Sequence, residues 1–149
     1  MISKVTYLLG NRSLDADVGF YVAGSIQGTA VELLIDTGTT VTILSRDVYR
    51  RIKPEKRSGL IPVKGNVSLL ECRHMSVDGK GHLETNLYGV RRRYKMLVAD
   101  IPTEGILGLD FLKCNSCLLD VNKSSLSIGK ENLSCKFKGQ VGCAIIIVA

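Results

Sequence analysis

The stretch Leu33-Leu34-Ile35-Asp36-Thr37-Gly38-Thr39-Thr40-Val41 decides how this chain is read. An apolar run ends on a carboxylate, turns at a glycine and re-enters a segment rich in Thr and Val. A carboxylate at the end of an apolar strand is costly to bury unless it is hydrogen-bonded or paired. Thr37 supplies a hydroxyl beside it. Gly38 has no Cβ, so the chain can turn sharply and bring its N–H toward the acid. Taken alone, Asp-Thr-Gly reads equally well as the turn of an ordinary hairpin.

Working outward, residues 20–26 and 29–35 read as strands around a Gln27-Gly28 turn, with Val31, Leu33 and Ile35 in the alternation of a sheet. A strand resumes at 41–44. Ser45 is placed to cap a short helix over 46–52, which Pro54 ends. Residues 53–64 are basic and polar and read as a loop. Short strands are expected near 67–72, 75–77, 82–88 and 94–99, with turns at Asp78-Gly79 and Gly89. Ile106-Leu107 is a brief apolar strand, and residues 109–114 can form one or two helical turns. Residues 118–121 and 125–128 frame a hairpin turn at Asn122-Lys123-Ser124. No long helical period and no repeat occurs, so the expected class is all-β and mainly antiparallel.

The chain has 149 residues, 45% hydrophobic and 23% charged, enough for one domain with a core that needs no metal or disulfide. Neither a disordered tail nor a coiled-coil rod fits that composition. Twenty Lys and Arg against fourteen Asp and Glu leave a net charge of +6. That surplus is compatible with nucleic-acid binding but does not argue for it. Trp is absent, and Phe and Tyr are few, so stacking platforms are scarce. No apolar run is long enough to span a bilayer, and residues 1–9 make a poor signal peptide. The five cysteines, an odd number, are expected to be reduced thiols of a cytoplasmic, non-secreted protein.

A second segment, Glu104-Gly105-Ile106-Leu107-Gly108-Leu109-Asp110-Phe111-Leu112, shifts the balance away from an ordinary hairpin. Together the two segments resemble the retropepsin family, the aspartic proteases of retroviruses and LTR retrotransposons, and most of all gypsy-type retrotransposon proteases. Residues 105–112 look like their Ile-Leu-Gly-x-Asp-Phe-Leu element. Cys117-Leu118-Leu119-Asp120 and Leu126-Ser127-Ile128-Gly129 resemble the hairpin that follows it, and Gly19-Phe20-Tyr21-Val22 the first hairpin. The likeness runs over roughly residues 18–130. It implies a single-lobe closed barrel with one or two short helices, acting as a homodimer, and a protease domain at 18–138. A leader at 1–17 and a tail of unknown role at 139–149 would flank it.

The same resemblance implies an endopeptidase that activates water between two Asp36 carboxylates, with Thr37 joining the two loops and Gly38 orienting the carboxylate. Residues 41–44 and Ile106-Leu107-Gly108 would cross beneath that loop as its support. A flap tip falls near Glu71, Cys72, Arg73, His74 and Met75, where the family usually has a small Gly-containing turn. Thr39 stands where the family most often has Ala. No cofactor and no metal are implied, and the substrate would be a polypeptide, its own polyprotein first, with virus-like particles as one setting.

Other features are weighed beside this. Cys114-x-x-Cys117 with Cys135 and Cys143 has the wrong spacing for a zinc ribbon. His74 and His82 read as surface or turn residues, and Asp110 as a structural or dimer-edge charge. Arg91-Arg92-Arg93 reads as a solvated hairpin turn, with contact to RNA or an acidic peptide as the sharper reading. A nucleic-acid partner and a membrane are not expected. Two other classes stay open: a catalytically inactive domesticated fold that binds peptides as a dimer, and a small β-barrel that binds nucleic acid.

Overall fold

The computed structural model describes residues 18–63 and 76–139. Strand β1 (Gly19–Ile26) turns at Gln27-Gly28 into β2 (Thr29–Ile35). Both turn residues have positive φ, 49° and 82°, as a two-residue hairpin turn whose twist matches the strands requires. After the Asp36 loop comes β3 (Ile43–Ser45), then helix α1 (Arg46–Arg51). The hydroxyl of Ser45 accepts from Val48 N and caps α1 as its sequence position suggests. A 3-10 turn at Pro54–Lys56 follows.

The long strands β4 (Val77–Leu87) and β5 (Val90–Ala99) form a hairpin around Tyr88-Gly89. Next come β6 (Gly105–Leu107), helix α2 (Leu109–Cys114), β7 (Cys117–Asp120), β8 (Ser125–Ile128), β9 (Glu131–Ser134) and β10 (Lys136–Lys138). Seven strands order as β10-β1-β2-β6-β3-β5-β4, and β1 also pairs with β4 through Ser25↔Asn86 and Ile26↔Thr85. The ring is thereby closed, with β10 added outside it. Closure removes the free edges that an open sheet would expose. Strands β7, β8 and β9 form a separate antiparallel sheet.

The core lies inside the ring. Val22, Ile26, Leu33, Leu44, Leu83, Leu87, Met96, Val98 and Leu107 are buried there together with Phe111 of α2. Leu126, Ile128 and Leu133 extend the same cluster into the small sheet. Full burial of each such side chain contributes about 1.5–3 kcal/mol against exposure. The all-β reading and the two short helices therefore hold.

Several local expectations do not. Asp78-Gly79 is no turn: β4 runs straight through it, with a register shift between Val77 and Gly79. Two bonds of 2.7 Å from Arg46 hold the Asp78 carboxylate, and Ile61 bonds Lys80 in both directions beside the irregularity. These contacts satisfy the groups that composition alone assigns to a turn. Nor are Arg91, Arg92 and Arg93 turn residues; they lie in β5. The region after α1 is less of a loop than expected, through the 3-10 turn and the Ile61↔Lys80 bridge. The strand expected at 67–72 and the flap residues 71–75 lie outside the described residues.

Candidate active site

Asp36 follows the last residue of β2, and its backbone N–H donates to Leu107 O at 3.1 Å. The strand thus ends against β6, not in solvent. β6 lies between β2 and β3, parallel to β2 through Leu33↔Gly105, Leu34↔Ile106 and Ile35↔Leu107, and antiparallel to β3 through Ile43↔Ile106 and Leu44↔Gly105. The chain leaves the loop, returns as β3 and meets β6 from the other side. The segments expected to cross beneath the loop are in register beside it.

Gly38 N donates to Asp36 Oδ1 at 2.9 Å. Thr39 Oγ1 donates to Asp36 Oδ2 at 2.9 Å. Each carboxylate oxygen has its own donor, so the plane of the group is set. The loop closes with Thr39 N bonded to Asp36 O at 3.3 Å. Thr37 and Gly38 are exposed, and Asp36 is half-buried.

The underside is held as firmly. Leu109 N donates to Thr39 O at 2.7 Å and Asp110 N to Thr40 O at 3.2 Å. Gly108 sits where Cβ would meet Val41 O at 2.3 Å and Thr39 O at 2.9 Å. No side chain fits between β6, α2 and the loop at that point. The buried Thr42 hydroxyl donates to Asp110 Oδ1 at 2.8 Å and accepts from Gly108 N at 3.1 Å. Asp110 Oδ1 also accepts from Phe111 N at 2.7 Å. Asp110 is accordingly a structural charge that ties α2 to the segment after the loop.

Asp36, Gly38, Ile106, Leu107 and Gly108, read from the sequence as one site, lie together in the fold. The sequence undervalues Thr39, whose hydroxyl bonds the carboxylate. The available signal is spacing: a Ser or Thr three residues after an Asp can reach back to it across a turn. Thr42 and its partner Asp110, 68 residues apart, carry no such local signal.

Away from the loop, Glu104 Oε1 accepts from Glu32 N at 2.8 Å, and Lys138 of β10 pairs with Glu32. These residues, with Tyr21, Pro102 and Thr103, line a cavity of about 250 Å³. None of residues 36–38 borders it. Cys114, Cys117 and Cys135 carry free thiols. Burial pushes the Cys117 thiol up to about 11 and raises Cys135 as well. A protonated thiol is a poor metal ligand. Among the described residues no group of three or more His, Cys, Asp or Glu side chains could hold a metal, and no helix is long and apolar enough to cross a membrane.

Comparison with known proteins agrees with this geometry. The family described as aspartyl protease matches residues 22–111. The Pol polyproteins of equine infectious anemia virus, strain Wyoming and isolate 1369, are each 36% identical over 93 residues, covering 59% of this chain. The match spans only 7% of those polyproteins. The crystal structure of the retroviral protease-like domain of Ddi1 from Leishmania major superposes with a TM-score of 0.66 at 22% identity, covering 80% of this chain and 94% of that one. EIAV protease complexed with the inhibitor HBY-793 gives 0.56 at 26% identity, covering 68% and 91%.

Proposed function

The chain belongs to the aspartyl protease family, with a retropepsin-like fold, and from that premise we propose that it is an aspartic endopeptidase acting as a homodimer. The protease domain is residues 18–138, and Asp36, Thr37 and Gly38 form its catalytic loop. One observation carries the reading. A single Asp-Thr-Gly loop, with a donor on each Asp36 carboxylate oxygen, stands exposed at the end of a closed ring. One chain supplies half of a two-carboxylate site, so a two-fold axis through the loops completes it.

In the dimer the two Asp36 carboxylates lie about 3 Å apart and share one proton, because like charges so close do not both ionise readily. The ionised member takes a proton from a water molecule, which attacks the peptide carbonyl carbon. The protonated member gives its proton to the carbonyl oxygen, forming a gem-diol. As the diol collapses, one of its hydroxyls returns a proton to the dyad and reforms the C=O, while the C–N bond breaks and the nitrogen leaves with the dyad's other proton. Neither an acyl-enzyme nor a metal takes part. The Gly38 N–H and Thr39 hydroxyl hold the carboxylate throughout, and Thr37 joins the two loops. The substrate in this reading is a polypeptide, its own polyprotein first.

Cleavage of a peptide library with and without a statine-type transition-state mimic tests this. Wild type should cleave and the mimic should block it. Asp36→Asn should remain folded and lose activity by at least the roughly 10²–10⁴-fold of one acid–base group, because one substitution removes both copies. Activity per chain should fall on dilution as the dimer dissociates. An Asp36→Asn variant that cleaves at the wild-type rate would end the assignment. Peptide binding without cleavage by wild type would replace it with a dimeric peptide-binding module.

A further inference from the structure

The paired strands β4 and β5 turn two different faces to their surroundings. Leu83, Thr85 and Leu87 of β4 and Met96 and Val98 of β5 are buried against the core. The register His82↔Lys95, Glu84↔Arg93 and Asn86↔Arg91 puts the alternate set on the outer face. Along β5 that face carries Arg91, Arg93 and Lys95, all exposed, and along β4 it carries Lys80, His82, Glu84 and Asn86. Glu84 is its one acid. Among the described residues, none of Lys80, Arg91, Arg93 and Lys95 takes part in an ion pair. Arg92 points to the other face, where Nε bonds Asn115 Oδ1 at 3.0 Å.

This placement changes the meaning of the arginine run. A run on a turn splays its charges, whereas on a strand alternate residues form a row. At about 3.4 Å rise per residue, Arg91, Arg93 and Lys95 are spaced by about 6.8 Å, a regular row of cations that a phosphate backbone can follow. At the end of the row, the turn presents Tyr88, 62% exposed. A cationic row ending in an open aromatic ring combines the two elements that hold single strands, a charged track for the backbone and a face on which a base stacks.

The surface is also clear of Asp36. The tip of the β4–β5 hairpin pairs with β1 at Ser25 and Ile26, beside the Gln27-Gly28 turn. Asp36 lies beyond the far end of the seven-residue β2, about 23 Å away along the strand.

We propose that the outer face of the β4–β5 hairpin, Lys80, Arg91, Arg93 and Lys95 with Tyr88 at its tip, binds single-stranded nucleic acid through its phosphates without base-specific readout. This does not depend on the chain being an active peptidase. Glu84 and the lone aromatic limit the strength, so affinity belongs in the non-specific range of about 10⁻⁴–10⁻⁶ M at physiological salt.

The test is fluorescence anisotropy of a labelled oligo-dT of about 20 nucleotides, longer than the roughly 4–16 nucleotides that one small barrel covers. The full chain is titrated between about 50 and 200 mM salt. With three or four phosphates contacted, log K against log salt should fall with a slope of about −2 to −3. The triple variant Arg91→Glu, Arg93→Glu, Lys95→Glu should bind at least tenfold more weakly. Tyr88→Ala should weaken binding about fivefold or more, the equivalent of one stacked base. Circular dichroism of both variants should match wild type, since every altered side chain is exposed. No binding by wild type at the lowest salt, or wild-type binding by the folded triple variant, would overturn the proposal. So would competition by polyglutamate at the same charge concentration as effective as by unlabelled oligo-dT, which would assign the face to an acidic peptide.

Discussion

The Asp36 loop and the outer half of the β4–β5 hairpin belong to one sheet, yet their positions are determined in different ways. Around Asp36 neighbours in the loop hold the carboxylate, while residues distant in sequence hold the loop itself. Leu107 O receives the Asp36 N–H, Thr39 and Thr40 carbonyls receive the first N–H groups of α2, and the Thr42 hydroxyl joins Asp110 to Gly108. At the hairpin the determinants are local: a two-residue turn, strand alternation and cross-strand neighbours. The first arrangement leaves no slack and suits a group whose atoms must be placed for chemistry. The second leaves side chains in solvent, where charge and exposure decide what they meet.

Two glycines break this comparison most sharply. Gly108→Ala puts a methyl group 2.3 Å from Val41 O, where backbone must move. We expect a loss of about 3 kcal/mol or more in a denaturant titration, with loss of peptidase activity. Gly89 has a φ of 88°, and nothing lies within 4 Å of its would-be Cβ. Gly89→Ala should cost only the left-handed strain of about 1–2 kcal/mol and spare the activity. Equal losses at the two sites would erase the distinction.

A pair of buried threonines sharpens it. Thr42→Val removes a donor to Asp110 and the acceptor of Gly108 N, and should destabilise by about 2 kcal/mol. Thr103 is also buried, but its Oγ1 has no hydrogen-bond partner among the described residues. Thr103→Val should leave stability unchanged or raised, since an unsatisfied buried hydroxyl is already a cost. Thermal melts of the two variants side by side read the difference.

Within the loop, Thr39→Ala deletes the bond to Asp36 Oδ2. A three- to tenfold fall in kcat/KM, on the order of 1 kcal/mol, is expected. A kcat/KM equal to that of wild type would reduce Thr39 to a loop-closing residue.

The smallest effect belongs to the base of the hairpin. The hydrogen bond and charge of Arg46 hold the Asp78 carboxyl below the usual range. That contribution is therefore present above the unfolded carboxyl value of about 3.9 and is lost as pH falls through the lowered folded value. Asp78→Asn should lower Tm slightly at pH 7, by less than Thr42→Val does, because the pair is open to solvent. The gap should close as pH drops below about 4. A Tm difference that persists in acid would show that packing, and not charge, holds this end of β4.

Much of the molecule was legible in the residues. The turns at Gln27-Gly28 and Gly89, the Ser45 cap, the α2 helix and the β7–β8 hairpin each depend on residues a few positions apart, and such signals survive in a linear string. Asp36-Thr37-Gly38 and Ile106-Leu107-Gly108 were recognisable as partners because both segments match one family pattern. The composition around Asp78-Gly79 misled, because a turn-forming pair was satisfied instead by Arg46 and Ile61, residues outside any local window. β9 and β10 gave little warning, being short and mostly exposed, with Leu133 their one buried side chain.

The sequence by itself determined the class of the fold and the loop that carries the carboxylate. Those follow from alternation and from glycine at a tight turn. Only the tertiary structure decided that Leu107 O receives the Asp36 N–H, that Thr42 and Asp110 lock the support, and that three consecutive arginines divide between two faces of a strand. Each of these depends on register, and shifting a strand by one residue turns every side chain to the opposite face. Register here is settled by closing β1 onto β4 and seating β6 between β2 and β3 around a shared core, contacts that no short stretch of sequence contains.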